Sequence, residues 1–424
     1  MFHLQSSNRR LRGFFALSAA LWGLGLWTPL QSNAEPPLIT LPQALEKALG
    51  SRPEIEAFAS DLRASQGRVL QASLRPNPEL GFEIANLEDE TSVTYSQPLE
   101  MGGKRQARVA HATAAIGVLQ ADYARVRLDI SAEVKRAYVS LLGAQMRLEL
   151  QREAHELAAK LATTVADRVA AGATSPIEAT RARVTLSAAS AEVERARRQL
   201  EEARLGLSAA MGDPSPGFSQ ARGELREDLP LLDAALSTKR LAANPDLTRW
   251  DEEKAQRSAA LTVERSLALS DLTVSGGLSY VREDKAGVVT LGLSVPLPLF
   301  HKNQGAIQES EAALTKVVAE RRGAEARARS QLAQSLASLA SSTREARILR
   351  EETLAGAREA FETVNEGYRL GKFPYLDVLD AGQALIEARL QHLDALVSLN
   401  LSQVDVERLV GEPAQAAASP DRKN

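Results

Sequence analysis

The sequence of 424 residues contains no cysteine, and aromatic side chains make up 4% of it. The missing thiols exclude disulfides, thiolate metal sites, a cysteine nucleophile and an N-terminal lipid attached through cysteine. Beyond the first 34 residues no stretch approaches the 18 apolar residues of a membrane-spanning helix. The formal net charge is −3, with acidic and basic residues interspersed, which argues against a nucleic-acid partner.

Clustered catalytic or metal-binding residues are also missing from the sequence. There is no His-x-x-x-His spacing, no G-x-S-x-G and no phosphate-binding glycine loop, since the "GGK" at 102–104 lacks the rest of a P-loop. We therefore predict no enzymatic activity, no cofactor and no bound metal. The histidines are dispersed along the chain at His3, His111, His155, His301 and His392.

The N-terminus has the pattern of a secretory signal peptide. Three arginines between positions 9 and 12 precede an apolar run over 13–26, and Ser32 and Ala34 suit a signal-peptidase site. We predict a signal peptide over 1–34. The alternative is a membrane anchor, but the run is shorter than the ~20 apolar residues that such a helix needs. The exported chain would be periplasmic, secreted, or inserted in the outer membrane as strands.

The two halves of the chain resemble each other. "SRPEIEAFASDLRASQG" (51–67) aligns with "ANPDLTRWDEEKAQRSA" (243–259), and "AGATSPIEATRA" (171–182) with "LGKFPYLDVLDA" (370–381). A period near 200 residues is too long for a solenoid, so we interpret it as one duplicated half. The predicted repeats cover 35–228 and 229–412, with a flexible tail over 413–424.

Each half is predicted to have the same order of elements. An amphipathic helix, over about 40–75 and again over 230–266, precedes a β-hairpin whose residues alternate between apolar and polar. The hairpins are predicted at about 79–99 and 270–297. Long proline-free stretches follow, and a continuous helix from Lys104 to Gly172 would be ~100 Å long. These helices are predicted to turn back at 171–176 and 370–375.

Four strands are too few to close a barrel, because the smallest membrane barrels use about eight. Their open edges cannot face lipid, so copies of the same chain are the economical partners. A two-layer helical hairpin with an alanine-rich stripe also cannot bury its faces alone, and neighbouring copies would supply the missing contacts. This reasoning predicts an oligomer and leaves its copy number open.

The motifs "LPQALEKALGSRPEI", "PLEMGGKRQAR", "PLPLFHKNQGAI" and "EGYRLGKFPYLDVLDA" resemble those of the TolC-like outer-membrane efflux proteins. "PLPLFxxNQG" is similar to the outer-membrane components of heavy-metal cation RND pumps. The resemblance implies a mainly α fold with a β-barrel part. It further implies a homotrimer with four strands per protomer in a shared twelve-stranded outer-membrane barrel, and coiled-coil helices forming a periplasmic α-barrel. The implied partners are a periplasmic adaptor, an inner-membrane RND transporter and outer-membrane lipid.

The resemblance also assigns roles to residues. Asp377 and Asp380, facing Glu178, would ring the periplasmic entrance, and Tyr368 would hold it shut by a hydrogen bond to Glu178. A solvated acidic helix cap and a tyrosine packed at a helix end are the structural alternatives. The hairpin tips would receive the adaptor at Gly172, Ala173, Thr174, Ser175, Gly371, Lys372, Phe373 and Pro374. The barrel-to-tunnel turns would lie at Pro98, Gly102, Gly103, Pro296, Pro298 and Gly305.

One departure from the family pattern concerns Phe373, which stands where some relatives have an arginine. The salt-bridge part of their gate is therefore in question here. The leading hypothesis is a passive exit duct for divalent heavy-metal cations. The alternatives are a multidrug or general export duct, a periplasmic coiled-coil adaptor, which would lack the strand pairs, and an enzyme.

Overall fold

The computed structural model describes residues 38–85, 90–229, 233–282 and 285–410. The predicted signal peptide and C-terminal tail lie outside these ranges. The described chain is mostly helical and carries one small antiparallel sheet, which confirms the predicted fold class at this level. None of the described helices is both long and apolar enough to cross a membrane.

Two helices precede each hairpin, where the sequence predicted one, and this part of the prediction was wrong. Pro53 and Pro245 each occupy the first position of a helix. Proline disfavours helical geometry in the residue before it, and Arg52 and Asn244 accordingly adopt extended ψ angles of 136° and 135°. The four helices are α1 (Leu41–Ser51), α2 (Pro53–Ser73), α5 (Ala234–Leu241) and α6 (Pro245–Leu267).

The four strands form one sheet in the order β1-β2-β3-β4, and every neighbouring pair is antiparallel. Each hairpin contributes two adjacent strands, and β2 pairs with β3 to join the hairpins. The strands alternate apolar with small polar residues, as a sheet with two different faces requires. Their bounds are β1 (Glu79–Ala85), β2 (Glu90–Leu99), β3 (Leu272–Val281) and β4 (Ala286–Ser294).

Long helices leave the sheet and return in two hairpins. The outgoing helix α3 is continuous for 67 residues, or ~100 Å, so the sheet and the first hairpin tip are separated by about that distance. The second outgoing helix is interrupted by a six-residue π-helical segment. The helices are α3 (Lys104–Ala170), α4 (Pro176–Ala210), α7 (Gln304–Ile348), the π segment (Leu349–Leu354), α8 (Ala355–Arg369) and α9 (Tyr375–Val410).

The main apolar core lies where α3 and α9 pack with α1 and with the connection after α4. Val134, Leu141, Leu207, Leu399 and Val406 are fully buried there. Charged residues surround this core. The Arg408 guanidinium lies 2.7 Å from carboxylate oxygens of both Asp129 and Asp246, which ties α9 to α3 and α6.

Candidate functional site

One face of the sheet is apolar and exposed. Phe82 lies opposite Val93, Val93 opposite Leu278, and Leu278 opposite Val289. Phe82 is 73% exposed and Leu291 85%. A contiguous apolar face of this kind marks a site of contact with a partner or with lipid. Its other exposed large side chains are Leu80, Ile84, Tyr95, Leu99, Val274, Tyr280 and Leu293.

The opposite face of the sheet is polar and consists mainly of small residues. Thr94 lies between Gly81 and Gly277, and Ser279 pairs with Ser92 on the same face. The charged residues that the described strands place there are all acidic, namely Glu79, Glu83 and Glu90. An apolar face backed by a polar one is the arrangement of a strand set that separates lipid from water.

Both outer edges of the sheet are open. In the described part of the chain, β1 pairs with β2 and β4 pairs with β3. An open strand edge presents unpaired N–H and C=O groups. Within lipid these groups require further strands beside them.

The first sheet-to-helix turn is held by ionic contacts. Gly102 and Gly103 both adopt φ +70°, which favours glycine, and Gly103 caps α3. The Lys104 ammonium lies 2.8 Å from Asp271, whose carboxylate also accepts a hydrogen bond of 3.0 Å from the backbone N–H of Met101. The turn that follows Pro98 is therefore fastened to the start of β3.

The second turn uses different residues from those predicted. The left-handed position before α7 belongs to Asn303, with φ +56°. Gly305 lies inside the first turn of α7, directly after the turn to which the sequence analysis assigned it. Asparagine tolerates the left-handed region, and the Asn303 amide donates to the backbone oxygen of Glu264 at 2.9 Å. Pro296 and Pro298 lie in the extended segment between β4 and this turn.

Both helical hairpins turn through the same backbone motif. Gly172 and Gly371 adopt φ +72°. The N–H of Ala173 bonds to the Arg168 oxygen at 2.8 Å, and that of Lys372 to the Gly367 oxygen at 2.8 Å. These are Schellman ends, in which a left-handed glycine closes the helix. The return helices begin at Pro176 and directly after Pro374, and the tip residues Ala173, Ser175, Gly371, Lys372 and Phe373 are exposed while Thr174 is half-buried.

A buried cluster connects the two tips. Tyr368 and Tyr375 are 4% and 3% exposed, their ring centres lie 6.2 Å apart, and both pack with Val165 and Val378. Burial raises the pKa of both tyrosines. Each hydroxyl therefore keeps its proton and remains a hydrogen-bond donor.

The predicted hydrogen bond from Tyr368 to Glu178 is not formed. The Tyr368 hydroxyl is buried without a hydrogen-bond partner in the described residues. Glu178 instead accepts a bond from the Thr174 hydroxyl of its own tip. The Arg168 guanidinium stacks over the Tyr368 ring at 4.7 Å, a cation–π contact that the sequence reasoning missed because Arg168 reads as an ordinary helix-end cation.

Asp377 and Asp380 lie on the outer side of α9. The helix turns Tyr375 and Val378 inward, and both aspartates are exposed. Spacing by three residues puts the two carboxylates on one face. Asp377 is also in the first turn of α9, where the helix dipole favours an anion. The predicted acidic pair thus exists as a surface feature of the tip, about 100 Å along α3 from the sheet.

Comparison with known proteins decides the family. The Outer membrane efflux protein family profile matches residues 44–213 and 236–412. The chain belongs to this family. It is 35% identical over 94% of its length to the cobalt-zinc-cadmium resistance protein CzcC of Cupriavidus metallidurans, covering 96% of that protein. It is 25% identical to the nickel-cobalt-cadmium resistance protein NccC of Alcaligenes xylosoxydans, over 74% of this chain and 72% of that one.

The fold of this efflux protein is shared with solved structures. A crystal structure of CusC matches with a TM-score of 0.75 and 17% identity, covering 91% of this chain and 96% of that one. The family predicted from the "PLPLF" and "EGYRLGKFPYLDVLDA" motifs is therefore confirmed. Membership places the protein among outer-membrane components of efflux systems.

Phe373 of the efflux protein packs inward on a glycine. A Cβ added at Gly367 would lie 2.1 Å from Cδ2 of Phe373, so the ring covers the bare backbone of α8 and is 39% exposed. In place of a salt bridge, this tip has an aromatic ring seated on a helix. The sequence analysis did not single out Gly367, because a glycine in the last turn of a helix does not indicate which side chain packs on it.

The described histidines of the efflux protein do not converge. No group of three or more histidine, aspartate or glutamate side chains in the described ranges has a metal-binding arrangement. His301 is exposed in the second turn. His392 is partly buried beside Glu227 and Arg350, and burial lowers its pKa.

Proposed function

We propose that this protein is the passive exit duct of a tripartite efflux system and that its cargo is divalent heavy-metal cations. The observation that carries the proposal is the 35% identity to CzcC over 94% of the chain. Two relatives whose names refer to cobalt and cadmium resistance match over most of their length. The energy for export would come from the inner-membrane RND transporter, and this chain would have no catalytic role.

The proposed assembly is a homotrimer. Four strands with one apolar face and two open edges cannot be sealed against lipid by a single chain. Three copies would place β1 of one protomer beside β4 of the next and close a twelve-stranded barrel. The apolar faces would then meet lipid, and the serine, threonine and glycine faces would line a polar lumen. The long helices would form the periplasmic α-barrel below it.

Two segments match the same family profile, and each holds two short helices, a hairpin and a long helical hairpin. We infer that they arose by duplication. Lys104 begins α3, whereas Lys302 lies before the start of α7. These two lysines therefore do not occupy structurally equivalent positions in the two turns.

The proposed periplasmic gate lies at the hairpin tips. Around a threefold axis, Asp377 and Asp380 would form a ring of carboxylates that favours cations. Tyr368 and Tyr375 pack the two tips of one protomer together. Opening would separate these packed tips.

The proposed adaptor site is the exposed surface of the same tips. Leu370, Phe373 and Leu376 expose 62%, 39% and 48% of their surface there, beside the polar Lys372. A mixed apolar and polar rim of this kind suits a protein partner. The adaptor would connect the duct to the inner-membrane transporter.

A susceptibility panel on a deletion strain tests the proposed cargo. We expect lower tolerance of cobalt, zinc and cadmium salts, with little change toward detergents and dyes, and restoration by a plasmid copy. The control is the same strain with the empty plasmid. Sensitivity to dyes and detergents without metal sensitivity would replace this proposal with a multidrug or general duct. Release of the protein from membranes by a salt wash would favour a periplasmic adaptor instead.

A further inference from the structure

The segment between β4 and α7 exposes large apolar side chains. Leu297, Leu299 and Phe300 are 74%, 70% and 91% exposed. The N–H of Leu299 bonds to the Leu297 oxygen at 2.9 Å, and Pro296 restricts the backbone. These side chains are therefore displayed by a short, constrained segment (295–300).

The corresponding turn of the other half is built differently. After β2, Glu100 pairs with Arg108 and Lys104 with Asp271, so charged side chains fasten that turn to its surroundings. Segment 295–300 contains no charged residue. Its C-terminal end is fixed by Asn303, whose amide donates to the Glu264 carboxylate at 2.7 Å. The first turn exposes Leu99 and Met101 to 43% and 48%, so the second turn has the larger and uncharged apolar display.

Segment 295–300 directly continues the apolar face of β4, where Leu291 and Leu293 are 85% and 71% exposed. The strands of the sheet alone would give this apolar face less height along the barrel axis than an outer-membrane barrel needs. From Thr91, paired with Tyr280, to Leu99, β2 advances ~26 Å at 3.3 Å per residue. With a strand tilt of 35–45°, this is about 20 Å of height, and the apolar band of an outer-membrane barrel is ~25 Å tall.

We infer that segment 295–300 inserts into the phospholipid surface at the periplasmic side of the outer membrane and supplies the missing part of the apolar band. The segment lies at the helical end of the sheet, which is the periplasmic end of the proposed duct. Outer-membrane barrels have aromatic residues at both interfaces of their apolar band, and Phe300 lies at the corresponding level of this chain. His301 and Lys302 follow it and are exposed, within reach of headgroup phosphates. This inference rests on the proposed barrel.

Site-directed tryptophan fluorescence tests the inference with the full mature chain. Trp22 and Trp27 belong to the predicted signal peptide, so Trp250→Phe gives a tryptophan-free background. Three single-tryptophan variants follow: Phe300→Trp, Leu291→Trp on the apolar sheet face, and Ile177→Trp at a hairpin tip. All three positions are exposed in the protomer, so a larger ring does not disturb the core. The probe is vesicles of phosphatidylethanolamine and phosphatidylglycerol with brominated acyl chains.

We expect bromolipid to quench Phe300→Trp and Leu291→Trp to a similar extent, and to leave Ile177→Trp unquenched. Quenching at Leu291→Trp without quenching at Phe300→Trp would overturn the inference and leave the barrel standing. If the Phe300→Trp emission shifted to the blue without quenching, the segment would be covered by a neighbouring copy, which also overturns the inference. Absence of quenching at both positions would overturn the proposed barrel and the inference together.

Discussion

At the scale of single residues, the hairpin tip depends on Gly367. The ring of Phe373 occupies the space that a side chain at Gly367 would need, since an added Cβ would lie 2.1 Å from Cδ2 of the ring. Where a salt bridge was considered from the family pattern, the structure has an apolar contact. The tip is therefore held by packing among Phe373, Gly367 and the neighbouring tyrosine cluster.

Gly367→Ala should displace the Phe373 ring and destabilise the tip. Overpacking of this kind costs about 1–3 kcal/mol, and the lower end applies because the ring can swing toward solvent. The control is Gly356→Ala on the same helix, where an added Cβ meets nothing within 4 Å. That substitution should be neutral or stabilise the protein by up to ~1 kcal/mol. Equal melting temperatures for the two variants, measured by circular dichroism, would contradict the packing account.

The tyrosine contacts show the limit of sequence reasoning at this scale. The motif around Tyr368 indicated the hairpin tip that we propose as the gate, but the hydrogen-bond partner of Tyr368 depends on side-chain rotamers. The hydroxyl of Thr174, four residues before Glu178, donates a hydrogen bond to the Glu178 carboxylate. Glu178 is therefore bonded within its own tip and not to Tyr368. Arg168 reaches the Tyr368 ring from the end of α3. These side-chain contacts depend on which residues become neighbours in the folded chain, and the spacing of residues in the sequence does not specify that.

At the scale of elements, periodicity predicted most of the fold. Alternation with period two indicated the segments that form the strands, and proline-free stretches indicated the long helices, because both patterns follow from which face is buried. The helix breaks at Pro53 and Pro245 were missed, although proline itself was the signal. The π segment Leu349–Leu354 carries neither proline nor glycine. Nothing in the sequence therefore marked its position.

The π segment contributes to a small pocket around His392. This pocket of about 100 Å³ is lined from α7 by Thr343 and Arg347, from the π segment by Arg350, and from the preceding connection by Glu227 and Asp228. The His392 Nε2 atom is buried without a hydrogen-bond partner in the described residues. The Arg350 guanidinium already forms an ion pair with the Glu227 carboxylate, with a nitrogen–oxygen distance of 3.0 Å. Burial of the ring is the main cause that disfavours a proton on His392; Glu227 favours the proton and Arg350 opposes it.

We therefore expect the protein to lose stability in mild acid. Burial lowers the folded-state pKa of His392, so the unfolded chain takes up this proton at a higher pH than the folded chain does. Stability is then fully present above the ordinary value of about 6.5 and is lost as pH falls below it. The slope contributed by one proton is at most about 1.4 kcal/mol per pH unit.

Melting temperatures of the wild type and His392→Gln between pH 8 and pH 5 measure this contribution. His392→Gln should lose less stability on acidification than the wild type. His111→Gln is the control, because it also removes one histidine from the chain but leaves this pocket intact. Parallel pH profiles for the wild type and His392→Gln would show that His392 does not titrate in this pocket.

At the scale of the whole molecule, the proposed function arises from assembly. A single protomer has an exposed apolar sheet face, two open strand edges and a pair of aspartates on a helix surface. None of these forms a passage alone. Three copies would convert the open edges into a closed barrel and the aspartate pairs into one ring of six carboxylates.

The double variant Asp377→Asn/Asp380→Asn tests that ring in planar bilayers. Like charges gathered at a narrow entrance select against anions and bind multivalent cations, whereas two exposed carboxylates on an isolated helix are screened within ~10 Å at 0.1 M salt. We expect the variant to lose cation over anion selectivity and to need a higher concentration of divalent cation for block. Glu56→Gln/Asp61→Asn removes the same charge from exposed positions on α2 and should leave both quantities unchanged. If the tip variant also left them unchanged, Asp377 and Asp380 would not face the ion path, and the acids would instead serve as solvated helix caps.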